Sequence, residues 1–305
     1  MNPISAKVSK LSVIVLNYNA ESFLKQCLLS LRFDQSSEYE VIVVDNASSD
    51  GSVAMVKQQF PEVKLVTSDI NLGFAGGNNL GLKEAHGEYL LFLNPDTTVP
   101  KETIPTMLEY MESHPDVGLA TCYVELATTG KIDPACHRGL PTPWASFCYF
   151  GKLEKLFPKI KLFSGYHLWY KDLSKIHEID SPSGTFFLVR RSIIDRVGSF
   201  CEDYFMYAED LDLSYRIKQA GYKIMFVPTV EITHFKGVSS GIKEHSQNVT
   251  TADTVTKNRS IGAFYDTMRL FYKRHLADQY PFVVNWLVYL AINIKKAIAL
   301  RAKTV

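Results

Sequence analysis

Glu88-Tyr-Leu-Leu-Phe-Leu-Asn-Pro-Asp96 is an apolar run that stops abruptly at a carboxylate. A strand buried in an α/β sheet reads as a near-continuous hydrophobic run, and such sheets bind ligands outside the carboxyl ends of their strands. Asp96 therefore stands where a ligand would, followed by Thr97-Thr98 and not by a helix-forming run. A second acidic cluster, Glu209-Asp210-Leu211-Asp212, lies more than a hundred residues later and opens a helical pattern. Two separated acidic clusters in one α/β chain suggest a metal-assisted phosphate site and a general base.

Upstream of that strand the chain alternates. Leu11 to Leu16 is a β-branched run ending in Asn17-Tyr18-Asn19, and Phe23, Leu24, Cys27, Leu28 and Leu31 then recur at helical spacing. Val41-Ile-Val-Val44 reads as the next strand, closed by the turn-rich Asp45-Asn-Ala-Ser-Ser-Asp-Gly51. A short helix (Val53, Val56, Phe60), a strand at Val63–Val66, and a glycine-rich loop from Asn71 leading into a helix at Leu80 follow. Downstream, the pattern predicts a helix from Lys101 to Ser113, a strand at Thr185–Val189, and helices from Arg191 and from Asp210 to Gly221. Strands are expected at Lys223–Val227 and Val230–His234, with two helices after Asn258, the second very apolar. Such alternation with short loops implies an α/β fold with a parallel, doubly wound sheet.

The 305 residues can bury one large core or two modest ones, and 46% apolar content fits a globular chain. A net charge of +1 provides no global basic field, so no nucleic-acid partner is expected. The five cysteines lack Cys-x-x-Cys spacing, which argues against zinc and for free thiols in a reducing compartment. Met1 to Lys10 lacks the long apolar region of a signal peptide, so synthesis in the cytoplasm without export is the expectation.

Each candidate side chain has two readings. Asp45, at a strand's carboxyl edge, can accept from a base imide or a ribose hydroxyl, or can start a turn. Gly73-Phe-Ala-Gly-Gly-Asn-Asn79 can bring backbone amides to a phosphate, or make a tight turn. Asp96 can hold Mg²⁺ or Mn²⁺ against a diphosphate, or belong to a Pro-Asp turn. His234 is a further metal ligand or diphosphate contact, or a structural histidine. Asp210 is the general base, or one of three acids capping a helix.

Taken in order, these segments resemble the family 2 inverting glycosyltransferases of GT-A fold, nearest the rhamnosyltransferase-like branch that builds bacterial surface polysaccharides such as O-antigen. The likeness rests on Ser12-Val-Ile-Val-Leu-Asn-Tyr-Asn19, Val43-Val-Asp-Asn-Ala-Ser-Ser-Asp-Gly51, Asn71 to Gly81, Leu91 to Asp96, Gly184 to Arg191, Phe205 to Asp212, and His234 to Ser239. It covers about residues 11 to 240. It implies that Asp45 contacts the nucleotide base and that Asn17, Asn19 and Asn78 line the nucleotide-sugar pocket, with Asn71, Gly76 and Asn94 also on the donor side. Asp96 matches the last acid of the Asp-x-Asp metal motif, Asp210 the catalytic base, and His234 a C-terminal metal or diphosphate contact. Gly184, Glu209 and Asp212 are expected on the acceptor side or supporting it. The departure is Asn94, in place of the first acid of Asp-x-Asp, which that branch commonly shows and which bears on metal affinity.

The resemblance divides the chain into a catalytic domain at 1–240 and a C-terminal helical region at 241–305. In the former, a nucleotide-sugar half (about 1–115) precedes an acceptor half (about 116–240) with an aromatic, lysine-rich insert at 141–175. Pro281 to Ile292 is strongly apolar but short of the roughly 20 residues that span a bilayer, and is followed by Lys295, Lys296, Arg301 and Lys303, which suits a helix lying on an anionic membrane or packing on the catalytic domain or another subunit. The expected reaction moves a sugar, rhamnose from dTDP-rhamnose, to a saccharide or lipid-linked saccharide. The alternatives are a UDP-sugar-dependent galactosyl or glucosyl transferase and an inactive nucleotide-sugar-binding protein. The missing Gly-x-Gly-x-x-Gly argues against a dinucleotide oxidoreductase, and the absence of Lys or Arg in the first strand's loop against a nucleotidyltransferase. Oligomeric state is left open.

Overall fold

The computed structural model describes residues 9–32, 39–235 and 254–301, the side chains of 254–260 excepted. Residues 1–8, Lys236 to Ser239 of the His234 motif, and Lys303 lie outside these.

Among the described residues, one sheet holds ten strands: β1 (Leu11–Asn17), β2 (Tyr39–Asn46), β3 (Lys64–Ser68), β4 (Tyr89–Leu93), β5 (Thr97–Thr98), β6 (Val117–Leu126), β7 (Lys131–Ile132), β8 (His177–Glu178), β9 (Phe186–Arg190) and β10 (Lys223–His234). The helices are α1 (Glu21–Leu31), α2 (Ser52–Gln59), α3 (Gly73–Lys83), α4 (Thr103–Ser113), α5 (Pro143–Phe150), α6 (Leu153–Leu156), α7 (Arg191–Val197), α8 (Glu209–Gln219), α9 (Thr254–Phe271) and α10 (Phe282–Arg301). Strand order is β3-β2-β1-β4-β9-β6-β10-β5, with β7 beside β6 and β8 beside β10. β3, β2, β1 and β4 run parallel, as do β6 and β10, while β9 runs antiparallel to both its neighbours. The sheet is thus mixed and mostly parallel, not wholly parallel. β9 is reached through the long insert and not through a crossover helix, so the rule that forces parallel neighbours does not apply to it.

β4 is buried at every position, as its sequence demands. The central strand β6, by contrast, has no counterpart in the sequence reading, because Gly118, Thr121 and Glu125 interrupt its apolar pattern. The two strands expected after Lys223 are one, β10, with its register shifted between Val227 and Glu231. Pro228 falls in that gap, where a missing N–H disrupts no ladder bond.

The glycine-rich segment is a helix, not a loop. Gly81 of α3 lies so close to β1 and β2 that a Cβ would meet Ile14 Cγ2 at 2.6 Å and Val44 Cγ2 at 2.8 Å. Glycine weakens a helix interior by about 1 kcal/mol, and here it lets the helix seat directly on the sheet. Gly81→Ala should therefore destabilise by about 1–2 kcal/mol net, overpacking against two stiff β-branched side chains outweighing the propensity gain. Gly77→Ala, whose Cβ meets the more mobile Leu16 Cδ1, should cost less. Thermal denaturation of the two variants checks the ranking.

The C-terminal helices join the rest through a second core, in which Tyr204 and Leu211 pack with Phe271, Tyr272 and Leu276.

Candidate active site

The register of the sheet gathers the candidate residues at one edge. Asn17 pairs with Asp45 at the carboxyl ends of β1 and β2. Leu93 at the end of β4 faces Phe186 at the start of β9, which puts Asn94 beside Gly184-Thr185. The chain then crosses the mouths of β9 and β6, so that Thr97 and Thr98 pair with His234 and Thr233 at the end of β10. Asp96 lies on that crossing, held by Phe235 N–H donating to its carbonyl at 2.8 Å.

On the β1–β2 side, Asp45 is buried. It accepts from Asn17 Nδ2 at 3.0 Å and from Ser48 N–H at 3.0 Å, so the turn-forming reading is realised. Its carboxylate oxygens keep lone pairs for a further donor. Asn17 Oδ1 is buried with no hydrogen-bond partner, which leaves a second acceptor beside Asp45. Asn19 adopts a left-handed φ of 50° and accepts from Ser49 N–H at 2.8 Å, closing the same loop. Asn46, passed over in the sequence reading, is buried and ties this loop to α3 through Asn71 Oδ1 and the Gly73 carbonyl, both at 3.1 Å.

The start of α3 does not offer the open phosphate cradle that its glycines suggested. Gly73 N–H donates to Asn71 Oδ1 at 2.9 Å and Phe74 N–H to the Phe205 carbonyl at 2.7 Å, so these two leading amides are already used. Gly73 has φ +73°, and a Cβ there would strike that carbonyl at 2.1 Å. Gly76 and Asn78 lie inside the helix, Asn78 donating to the Phe74 carbonyl at 2.9 Å. Gly184 lies against the Phe74 ring, where a Cβ would come within 2.5 Å.

His234 is buried between two carboxylates, with Nε2 3.2 Å from Asp96 and Nδ1 3.3 Å from Asp133. Burial opposes a charged imidazole, but Asp96 and Asp133 outweigh it and lift its pKa to about 9. Asp133 caps the short turn Pro134–Cys136 and was not anticipated. Asp96 offers the hard oxygen that Mn²⁺ or Mg²⁺ prefers, and the imidazole nitrogen of His234 faces it. No group of three or more His, Cys, Asp or Glu side chains is poised for a metal among the described residues. A cation here would draw its remaining ligands from phosphate and water, and would displace the imidazole proton.

Asp210 sits in the first turn of α8, which opens directly after Tyr207 and Ala208, both of left-handed φ (73° and 66°). Such strain in non-glycine residues costs about 1–3 kcal/mol each and concentrates at functional sites. Asp210 Oδ2 accepts from Arg138 Nη2 at 2.7 Å. The same guanidinium donates to the Pro182 carbonyl at 2.8 Å, two residues before Gly184. Arg138, also missed in the sequence, thus fixes Asp210 at the edge where β9 begins. Residues 133–138 carry both supports, Asp133 toward His234 and Asp96, Arg138 toward Asp210.

The acids around Asp210 differ in kind. Glu209 is buried, its Oε2 has no hydrogen-bond partner, and burial together with the Asp210 charge raises its pKa well above the carboxylate range. Asp212 faces the second core, accepting from Arg216 at 2.8 Å and His275 Nε2 at 2.7 Å. Burial disfavours its charge, but these partners prevail and lower its pKa. Asp212 therefore anchors the C-terminal segment. Asp212→Asn should cost about 3 kcal/mol of stability, the loss from unpairing a buried ion. Turnover below the melting range should stay close to wild type, and a melt with a paired rate assay checks both.

The family model described as Glycosyl transferase family 2 matches residues 12–198. Over 242 residues the chain is 28% identical to the N-acetylglucosaminyl-diphospho-decaprenol L-rhamnosyltransferase of Mycobacterium tuberculosis, spanning 76% of this chain and 78% of that protein. It is 26% identical over 231 residues to Rhamnosyltransferase WbbL of Escherichia coli, spanning 73% and 82%. Among solved structures, a mannosyltransferase from Pyrobaculum calidifontis in complex with GDP-Man and Mn²⁺ superposes with TM-score 0.59 at 17% identity, over 97% of this chain and 73% of that one. TarS from S. aureus superposes with TM-score 0.54 at 17% identity, over 87% and 72%. The structural likenesses concern the fold.

Proposed function

The chain belongs to glycosyl transferase family 2, in its rhamnosyltransferase-like branch, and from that premise we propose that it moves rhamnose from dTDP-rhamnose, with inversion, to a hydroxyl of a lipid-linked saccharide. The observation that carries the reading is the segment 133–138, whose Asp133 contacts His234 beside Asp96 and whose Arg138 holds Asp210. A single displacement needs a base and a stabilised leaving group on opposite sides of one carbon, and no enzyme nucleophile.

Asp210 takes the proton of the acceptor hydroxyl as its oxygen attacks the anomeric carbon. Arg138 holds the carboxylate still, and its Oδ atoms retain lone pairs for the incoming proton. On the donor side, Asp45 and Asn17 Oδ1 receive the imide N–H of the base. Asn19 and Asn71 shape the loops around that base, Asn94 borders the donor, and Gly76 and Asn78 act from inside α3 by fixing that helix. Asp96 and His234 would hold a divalent cation, which when bound supplies positive charge to the departing diphosphate. Gly184 and Glu209 border the acceptor side.

The names of the mycobacterial and enterobacterial relatives support rhamnose as the donor sugar, and the former supports a diphospho-lipid acceptor. Thymine and uracil share the imide, so UDP-hexoses are the second donor class. We place the reaction in the cytoplasm at the inner face of the plasma membrane, a reducing compartment that suits five cysteines that form no disulfide.

Incubation with a panel of dTDP- and UDP-sugars, Mn²⁺ or Mg²⁺, and a polyprenyl-diphosphate saccharide tests this. Nucleoside diphosphate should be released only with donor and acceptor together, and the product should carry the inverted anomeric configuration by NMR. Donor binding without release for every pair would leave a binding protein.

A further inference from the structure

Two apolar surfaces distant in sequence meet in the fold. On α10, Phe282, Val283, Trp286, Leu287, Ile294 and Ile298 are each about half exposed or more. On the insert, Trp144, Phe147, Leu156, Ile160 and Leu162 are similarly bare. Lys295 Nζ of α10 lies 5.0 Å from the centre of the Phe150 ring of α5, so the two surfaces adjoin. Exposed apolar surface this concentrated marks a partner or a membrane.

The surrounding charge selects the occupant. The insert contributes exposed Lys152, Lys155, Lys159 and Lys161, α10 contributes Lys295, and no acid follows Asp278 in the sequence. Glu154, the acid among those lysines, is buried against His167. A cavity of about 800 Å³, lined by Lys131, Lys155, Lys159 and Lys171 with Trp169 and one exposed acid, Asp172, shares Lys155 and Lys159 with the same face. A second copy of the chain would bring lysines against lysines. An anionic lipid surface complements both the apolar residues and the charge.

α10 is long and apolar enough to cross a bilayer. Its other side is bolted to the protein. Lys296 makes a two-point ion pair with Asp266 of α9 at 2.6 and 2.7 Å, and Arg269 of α9 stacks over Tyr289 at 5.0 Å. Asn285 accepts from the Tyr272 hydroxyl at 2.5 Å and donates to the Ala277 carbonyl at 3.0 Å. Spanning would break all of these contacts, whereas lying flat keeps them and wets none of the apolar side.

We propose that α10 and the 143–162 segment form a single docking face that seats the enzyme side-on on an anionic bilayer, α10 in the plane of the interface. The proposal deepens the transfer reaction by naming the surface where the acceptor is met, and rests on that reading for its purpose. Its test needs no turnover. The full chain should float with vesicles containing phosphatidylglycerol, far less with phosphatidylcholine alone, and alkaline carbonate should release it. Trp286→Glu with Leu287→Glu, or Phe147→Glu with Leu162→Glu, should each lower vesicle partitioning about a hundredfold. Both variants should keep wild-type melting and wild-type rates on a water-soluble acceptor, which separates failed docking from failed chemistry. Unchanged flotation of either pair, no flotation of the wild type, a carbonate-resistant fraction, or a dimer that the glutamates dissolve would each overturn the proposal.

Discussion

Asp210→Asn should lower kcat by about a thousandfold while leaving the dissociation constant of the nucleotide sugar unchanged. A positioned general base contributes roughly 10²–10⁴-fold. Asparagine keeps the shape, and its amide oxygen can still accept from Arg138, so positioning survives and proton acceptance does not. The neighbouring acid supplies the control. Burial and the Asp210 charge raise the pKa of Glu209 well above the carboxylate range, so Glu209→Gln replaces a carboxyl whose charge that site disfavours. That variant should keep its rate within a few-fold. If Glu209→Gln abolishes transfer and Asp210→Asn does not, the base has been assigned to the wrong acid. Single-turnover assays with a saturating acceptor, paired with donor titration by calorimetry, read both quantities. Arg138→Met should reduce the rate as well, but with a loss of about 3–5 kcal/mol of stability, because it strips a buried carboxylate of its partner. Asp210→Asn should cost stability as well, because it leaves the buried Arg138 guanidinium without a counter-charge, so the rates are compared below the melting range of each variant.

What the sequence disclosed and what it withheld divide along a physical line. β1, β2 and β4 were legible because strands buried on both faces need unbroken apolar runs. Their carboxyl-end residues, Asn17, Asp45 and Asn94, were then located by topology alone. α3 was misread because glycine signals a turn when only the chain's own conformation is weighed; at Gly77 the constraint is imposed by Leu16, a side chain remote in sequence. β6 was hidden for a related reason. Its polar Thr121 is buried by donating to the Phe186 carbonyl of the next strand at 2.8 Å, and such a partner is invisible from the strand itself. The candidate acids stood out as clusters, whereas their supports did not. Asp133 and Arg138 are single charged residues in irregular chain, and their meaning comes from His234 and Asp210, 101 and 72 residues away. The carboxylates of Asp210 and Asp212, adjacent on one helix turn, are sent to opposite tasks by Arg138 and by His275.

Asp96→Ala should lower kcat/KM by about a hundredfold to a thousandfold, the order expected when several kcal/mol of charge stabilisation at a departing diphosphate are removed. The side chain has a structural part as well, since it is one of the two carboxylates that flank buried His234. Lower activity alone would therefore not say which part was lost. Ligand-linked stability does. A nucleoside diphosphate together with Mn²⁺ should raise the melting temperature of the wild type by mass action, more than either does alone. In Asp96→Ala the synergy should vanish, while the nucleotide on its own still stabilises through the Asp45 and Asn17 end. If the synergy persists undiminished in the variant, the cation is held elsewhere and Asp96 serves only His234. If the wild type shows no synergy and turns over fully in chelator, leaving-group charge must come from the protein itself. The residue then in question is His234, whose pKa of about 9 keeps its imidazole protonated at neutral pH. His234→Gln should then lose what Asp96→Ala was expected to lose.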